Sequence, residues 1–202
     1  MKSKKIIFAV FAVLILLVPL YIILNSEDVL ENGHRHKIRL RGYDPFDPFR
    51  GKYLRLRVDD RLPFTDNLKE GEPVYVLLEK DSLGFSHFST AVKERPKHTD
   101  YIEAQLIFIY ETTVQVKIDN LNKYFINEDK AKKAEEVMAE YTRNRPDELY
   151  LAIRVLNGET RIEDIFVREK PLLEYLECCY NDLIKEELES VERNIEGIID
   201  ER

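Results

Sequence analysis

The sequence predicts an α+β protein with an N-terminal transmembrane helix, a mostly antiparallel β domain containing one internal helix, and a C-terminal amphipathic helix. Three observations predict this fold. The chain opens with an uncharged apolar run, several segments of alternating polar and apolar residues follow it, and two later segments are rich in helix-forming residues. We expect four parts: residues 1–24 hold cytoplasmic lysines and the anchor, residues 25–33 a spacer, residues 34–170 the β-rich domain, and residues 171–202 an acidic amphipathic helix.

The apolar run extends from Ile6 to Leu24 without a charged residue. A helix of this length rises roughly 28 Å, which is about the thickness of the hydrocarbon core of a bilayer. A cleaved signal peptide is the alternative, but its apolar region is normally ~7–15 residues long and ends at a small-x-small site. This run is longer and no Ala-x-Ala pattern follows it. We therefore expect an uncleaved signal anchor.

Charges on the two sides of the run predict its orientation. Three lysines stand directly before it, whereas the nearest charges after it, Glu27 and Asp28, are acidic. Arg35 and Lys37 also lie within the counted distance, but the nearest charges should dominate. We therefore expect a single-pass protein of the inner (cytoplasmic) membrane of a bacterial envelope, with its folded domain outside the cytoplasm.

Strand patterns dominate the middle of the chain. Residues 36–41 and 53–58 alternate polar and apolar side chains, which is typical of half-buried strands. Further β-rich runs lie at residues 74–78, 85–92, 101–110 and 113–118.

A helix, a hairpin and a second helix follow. Asn127 is suited to the N-cap of a helix that ends at Arg145, because Pro146 comes next. Asn157-Gly158 between two alternating runs is a strong signal for a tight hairpin.

The C-terminal segment, from Pro171, carries an apolar seam at helical spacing and an acidic opposite face. The seam residues are Ile184, Leu188, Val191, Ile195 and Ile198, and the acids are Glu186, Glu187, Glu189 and Glu196. The seam is short for an independent coiled coil, so we expect it to be buried on its own sheet, on a second copy or on a membrane partner. Cys178 and Cys179 lie in this segment, and adjacent residues on one helix are not expected to bridge each other. An oxidising compartment could instead join them to a second chain.

A basic surface is the sharpest charge feature. Residues 35–57 contain eight Arg or Lys and two acids, whereas the net charge of the whole chain is −7, which excludes a generic nucleic-acid binder. If the two alternating segments pair, their basic residues share one face of a sheet. The candidate binding residues are Lys37, Arg39, Arg41, Arg50, Tyr53, Arg55 and Arg57. This face could be simply solvated, could dock the acidic C-terminal helix, or could meet lipid phosphates or an acidic partner.

Other candidate chemistry is weaker. Asp44 and Asp47, each in an Asp-Pro-Phe repeat, are better suited to forming turns than to acid–base work. His34 and His36 share a strand face, but a zinc site needs more ligands than these two. The sequence has no nucleophile elbow and no phosphate-binding glycine loop. We therefore predict no metal, no cofactor and no catalytic residues.

Residues 44–58 resemble the signature of the GDYXXLXY proteins, small bacterial proteins that usually carry an N-terminal hydrophobic segment. Gly51, Tyr53 and Leu56 match named positions of the motif, whereas Lys52 replaces its Asp and Val58 its last Tyr. The residues that carry the resemblance are Asp44, Pro45, Asp47, Pro48, Arg50, Gly51, Tyr53, Leu56, Tyr124 and Phe125.

The resemblance covers roughly residues 34–168, and it implies no catalytic activity. It implies an accessory role alongside multi-span membrane proteins. We therefore expect a non-enzymatic, membrane-anchored interaction protein with a membrane-protein partner, and a homo-oligomer through the C-terminal helix is a further option. The alternatives are an extracytoplasmic domain that binds an anionic ligand on its basic face, and an enzyme of unknown type.

Overall fold

A long N-terminal helix leads into two β-sheets and two shorter helices in a computed structural model that describes residues 2–40, 43–44, 53–65 and 67–185. The helices are α1 (Lys2–Asn32), α2 (Glu128–Asn144) and α3 (Leu172–Cys178), and a 3₁₀ turn spans Pro146–Glu148. The strands are β1 (His34–Arg39), β2 (Tyr43–Asp44), β3 (Tyr53–Leu56), β4 (Arg61–Leu62), β5 (Pro73–Lys80), β6 (Ser86–Val92), β7 (Tyr101–Ile109), β8 (Val114–Lys117), β9 (Lys123–Phe125), β10 (Leu149–Leu156), β11 (Glu159–Val167) and β12 (Lys170–Pro171).

Nine strands form the larger sheet, in the order β12-β11-β10-β1-β6-β5-β7-β8-β4. β1 and β6 pair in parallel, at Ile38 and Ser86, while the other described neighbours are antiparallel. β2, β3 and β9 form a separate antiparallel sheet. The α+β class with a mostly antiparallel sheet is therefore confirmed.

The two alternating basic segments do not pair, so the condition for a single basic sheet face is not met. β1 lies between β10 and β6 in the large sheet, whereas β3 lies in the small sheet between β2 and β9. The physical reason is the extent of pairing: β1 pairs with β10 along its whole length, whereas β3 pairs with β9 and reaches the same core as Ile38 from the small sheet. The described basic residues are thus divided between two sheets.

The local signals for the hairpin and for α2 are confirmed. Asn157 and Gly158 both have positive φ, 54° and 93°, and join β10 to β11. α2 follows Asn127, which has extended backbone geometry, although its side chain makes no capping hydrogen bond. The buried face of α2, which includes Val137 and Tyr141, covers the core.

The predicted spacer is helical and packs on the domain. α1 continues to Asn32, and Val29 is only 2% exposed. The side-chain amide of Asn25 donates to a carboxylate oxygen of Glu159 at 2.6 Å, and Arg161 Nε donates to the hydroxyl of Ser26 at 3.2 Å. Residues 25–32 are thus the last two turns of α1, held against β10 and β11.

The hydrophobic core continues past residue 170, the boundary that we expected. Leu172, Tyr175, Leu176 and Leu183 are all buried in the same cluster as the sheet residues. The hydroxyl groups of Tyr175 and Tyr141 are 2.8 Å apart, which ties α3 to α2. The first part of the C-terminal segment therefore belongs to the domain.

The predicted continuous C-terminal helix is interrupted at Cys179. This residue has φ −130° and ψ −5° and ends α3, and helical geometry resumes over residues 180–185. The structure joins Cys178 and Cys179 by a disulfide, so the expectation that they would not bridge is wrong. That expectation assumed that both residues lie within one regular helix, and the helix ends between them.

The rest of the predicted seam is only partly described. Ile184 is half-buried, beside the buried Leu183. Leu188, Val191, Ile195 and Ile198, and the acids Glu186, Glu187, Glu189 and Glu196, lie outside the described residues. Burial of that part of the seam on a second copy or a partner remains a prediction.

Candidate functional site

The outer face of β1 carries cations that are paired with acids of the same domain. Lys37 Nζ donates to Glu169 at 2.9 Å, and this bond raises the pKa of Lys37 and lowers that of Glu169. Arg39 bonds to Asp81 at 2.6 Å through Nη1 and to Asp147 at 2.8 Å through Nε, and its hydrogen bond lowers the pKa of Asp81. These charges are thus already neutralised within the domain.

Aromatic rings complete the same face. Arg35 Nε donates to Glu163 at 3.0 Å, so the third cation on β1 is also paired. Each of the three cations lies over a ring, at 4.0–4.9 Å from the ring centre. The rings under Arg35, Lys37 and Arg39 are Phe166, Tyr150 and Phe85, respectively. The partners come from β11, from the turns after β5 and β11, and from the 3₁₀ turn, a pairing that the sequence analysis did not consider.

The remaining candidate binding residues are not brought together with Lys37 and Arg39. Tyr53 packs edge-to-face on Phe125 in the small sheet, with ring centres 6.0 Å apart. Arg57, just after β3, lines a separate cavity of about 360 Å³. Arg55 lies on β3, but its side chain is outside the described set, as are the residues Arg41 and Arg50.

The family-motif residues that are described have structural contacts. Leu56 is 3% exposed and belongs to the core. The hydroxyl of Tyr124 donates to Asp164 at 2.6 Å, joining the small sheet to β11, and burial together with this bond raises its pKa. Phe125 is 75% exposed. Asp44 lies on β2, whereas Pro45, Asp47, Pro48, Arg50 and Gly51 are outside the described residues.

A buried histidine links three distant parts of the chain. His36 is 3% exposed, and its Nδ1 lies 2.9 Å from the hydroxyl of Ser86 and its Nε2 3.1 Å from a carboxylate oxygen of Asp100. Burial lowers the pKa of His36, so its neutral form is favoured. In the arrangement that satisfies all partners, Nε2–H donates to Asp100 and the Ser86 hydroxyl donates to Nδ1.

These three residues have the composition of a nucleophilic triad, which the sequence analysis did not find. Ser86 and Asp100 are 50 and 64 residues from His36 along the chain, and no local sequence motif connects the three. Ser86 is 3% exposed, so its hydroxyl faces the interior and not a cleft. We interpret the group as a hydrogen-bonded clasp that fixes β1 against β6 and against the residue before β7.

Beside this clasp lies an open cleft of about 640 Å³, which we call the His34 cleft. His34 is on one wall, the loop from Arg95 to Asp100 forms another, and the β10–β11 turn, Asn157 and Gly158, forms a third. Nδ1 of His34 is 2.8 Å from the second carboxylate oxygen of Asp100. His34 and His36, which the sequence predicts on one strand face, both bond Asp100.

Basic side chains predominate on the loop side of the His34 cleft. Arg95 donates through Nε to the hydroxyl of Tyr101 and through Nη2 to the carbonyl of Asn157 at 3.3 Å. Lys97 and His98 also line the cleft, and both are exposed. Across the described part of the chain, no cluster of three or more His, Cys, Asp or Glu residues is arranged to hold a metal ion.

α1 is the one helix among the described residues that is long and apolar enough to cross a membrane, with a mean hydropathy of 2.2 over its candidate span. The family model described as GDYXXLXY protein matches residues 15–165, which includes part of α1 and most of both sheets. No curated protein and no solved structure matches the chain.

Proposed function

The chain belongs to the GDYXXLXY family, and we propose that it is a single-pass, membrane-anchored, non-enzymatic accessory protein. Its β-rich domain is presented outside the cytoplasm to a membrane-protein partner. The charges that flank the apolar run favour this orientation, because three lysines precede it and acids follow it. The length and apolar character of α1 support the anchor.

The observation that carries the proposal is the junction between α1 and the domain. Val29 is buried, and Asn25 and Ser26 bond to residues of β11. Gly33 is packed so closely that an added Cβ would lie 3.1 Å from the backbone nitrogen of Val155. A domain on a flexible linker samples many heights and orientations. Here the domain is attached directly to the helix, and this attachment supports the proposal, because a helix in the membrane would then hold the domain surface at a constant height for a membrane-embedded partner.

Topology is tested first. A reporter enzyme that works only outside the cytoplasm should be active when it is fused after Arg202. The mature chain should keep residues 1–24. A mature N-terminus near Asn25 would show that α1 is a cleaved signal sequence, and the anchoring proposal would then fail.

The accessory role is tested by crosslinking in intact membranes, followed by purification of the full chain. We expect one membrane protein in stoichiometric amount. A flexible Gly-Ser insertion between Leu24 and Asn25 keeps the contacts of Asn25 with the domain but separates them from the span, so it should greatly reduce recovery of the partner. The same insertion at Gly84, in the exposed β5–β6 turn, is the matched control. Equal recovery with both insertions would contradict a role for the rigid junction, and absence of any partner from the unmodified chain would contradict the accessory role.

A further inference from the structure

We propose that the His34 cleft binds a phosphate group, and that the phosphate is supplied by the headgroup of a membrane lipid. This inference goes beyond the accessory role and rests only on the anchoring of α1. It would hold whether or not a protein partner exists.

The position of the cleft close to the end of the apolar run supports a membrane lipid as the ligand. Gly158 lines the cleft, and its neighbour Glu159 accepts a hydrogen bond from Asn25 at 2.6 Å. Asn25 is the first residue after the apolar run that ends at Leu24. The polar layer on each side of a bilayer is about 5–8 Å thick, so a residue directly after the span lies in it. The turn that forms one wall of the cleft is therefore held at the level of the lipid headgroups.

The cations of the cleft loop differ from the cations of β1 in their hydrogen-bond partners. On the outer face of β1 each cation is paired with a carboxylate, whereas Arg95 donates to two neutral oxygens, those of Tyr101 and Asn157. No ion pair engages Lys97 in the part of the chain that the structure describes. These two side chains can therefore donate to an incoming anion without first breaking an internal salt bridge.

Asp100 is the one carboxylate among the residues that line the cleft. Its two oxygens are each bonded to a histidine, one to His34 at 2.8 Å and one to His36 at 3.1 Å. Asp100 thus faces the histidines rather than the loop cations. Among the residues that line the cleft, the two cations Arg95 and Lys97 exceed the single carboxylate Asp100 in formal charge, so the cleft is suited to an anion.

The volume of the cleft is suited to a lipid headgroup. The volume of about 640 Å³ lies within the range of about 300–1,000 Å³ that is usual for small-molecule sites. A phosphate with its glycerol backbone fits this space, while the acyl chains remain in the bilayer beside α1. The cleft is open to the surface, which a ligand that stays attached to a membrane needs.

The test measures lipid binding by the full chain, purified in detergent without any partner, by native mass spectrometry. Phosphatidylglycerol, diacylglycerol and inorganic phosphate are the probes. We expect one phosphatidylglycerol to bind, diacylglycerol to bind much more weakly, and Lys97→Ala to weaken phosphatidylglycerol about fivefold, the usual effect of one cation near an anionic lipid. Lys132→Ala is the matched control, because Lys132 is an exposed lysine on α2, outside the cleft.

Three results would overturn the proposal. Equal affinities of Lys97→Ala and Lys132→Ala would show that the cleft is not the site. Equal binding of diacylglycerol and phosphatidylglycerol would remove the role of the phosphate. Displacement of the lipid by inorganic phosphate at the same concentration would identify a free anion as the ligand. The mass of the purified chain also reports whether residues 1–24 are retained, so a failure of anchoring is distinguished from a failure of the cleft.

Discussion

Truncation after Pro171 should unfold the domain, because the core extends beyond that residue. The deletion removes Leu172, Tyr175, Leu176 and Leu183, which are 0–6% exposed in the full chain. Burial of one large apolar side chain contributes about 1.5–3 kcal/mol, so the four together contribute roughly 6–12 kcal/mol. Domains of this size are stable by only about 5–15 kcal/mol in total. The loss is thus comparable with the whole free energy of unfolding.

Thermal unfolding of the purified chains in detergent tests this expectation. The control is a chain that ends after Lys185, which keeps all four side chains and lacks only the last residues. We expect the control to unfold cooperatively near the transition temperature of the full chain, and the chain that ends at Pro171 to show no cooperative transition. A cooperative transition in the shorter chain within a few degrees of the full-length value would refute the assignment of α3 to the core.

Three further perturbations test other parts of the structure. Gly33→Ala should cost about 1–3 kcal/mol, since its Cβ would overlap backbone atoms, and should open the α1–domain junction to protease. Gly84→Ala also costs stability, because Gly84 has a φ of 82°, but it lies in an open turn and should leave the junction protected. Burial lowers the pKa of His36, so on acidification the unfolded chain takes up a proton before the folded chain does, and stability should fall as the pH falls below about 6.5, the ordinary pKa of histidine. His36→Gln should flatten this slope in denaturant titrations, and an equal slope in the variant would contradict our reasoning. Tyr124→Phe should lower the free energy of unfolding by about 1–2 kcal/mol through loss of a partly buried hydrogen bond to a carboxylate. Tyr110→Phe, which removes an exposed bond of 3.4 Å, should lower it by less than about 0.5 kcal/mol in chemical denaturation, and similar costs for both would argue against a special role of Tyr124.

Several elements could be predicted because their signals are local. The uncharged run predicts a helix of membrane-spanning length, Asn157-Gly158 predicts the hairpin, and Arg145-Pro146 predicts the end of α2. The motif around Tyr53 predicts the family, which the family match confirms. In each case the feature depends on residues that are close together in the sequence, so it can be predicted without knowing which distant residues contact them.

The candidate site depended on contacts that alternation does not encode. The sequence predicts that Lys37 and Arg39 share a strand face, which the structure bears out. It does not predict that Glu169 and Asp81 pair with them, because those acids follow other strands and come close only when the sheet forms. The clasp of His36 with Ser86 and Asp100 has the same origin, since it needs both the parallel pairing of β1 with β6 and the position of β7.

The sequence by itself determined the class, the helix of membrane-spanning length, the hairpin and the family, because periodicity, turn chemistry and composition act over short distances. Only the tertiary structure decided which strands are neighbours, how far the core extends and which charges pair with one another. Strand order and ion pairing are set by the free energy of burying many side chains from separate segments at once. The burial of these side chains placed β1 beside β10, extended the core to Leu183, and brought the loop cations into one cleft with His34.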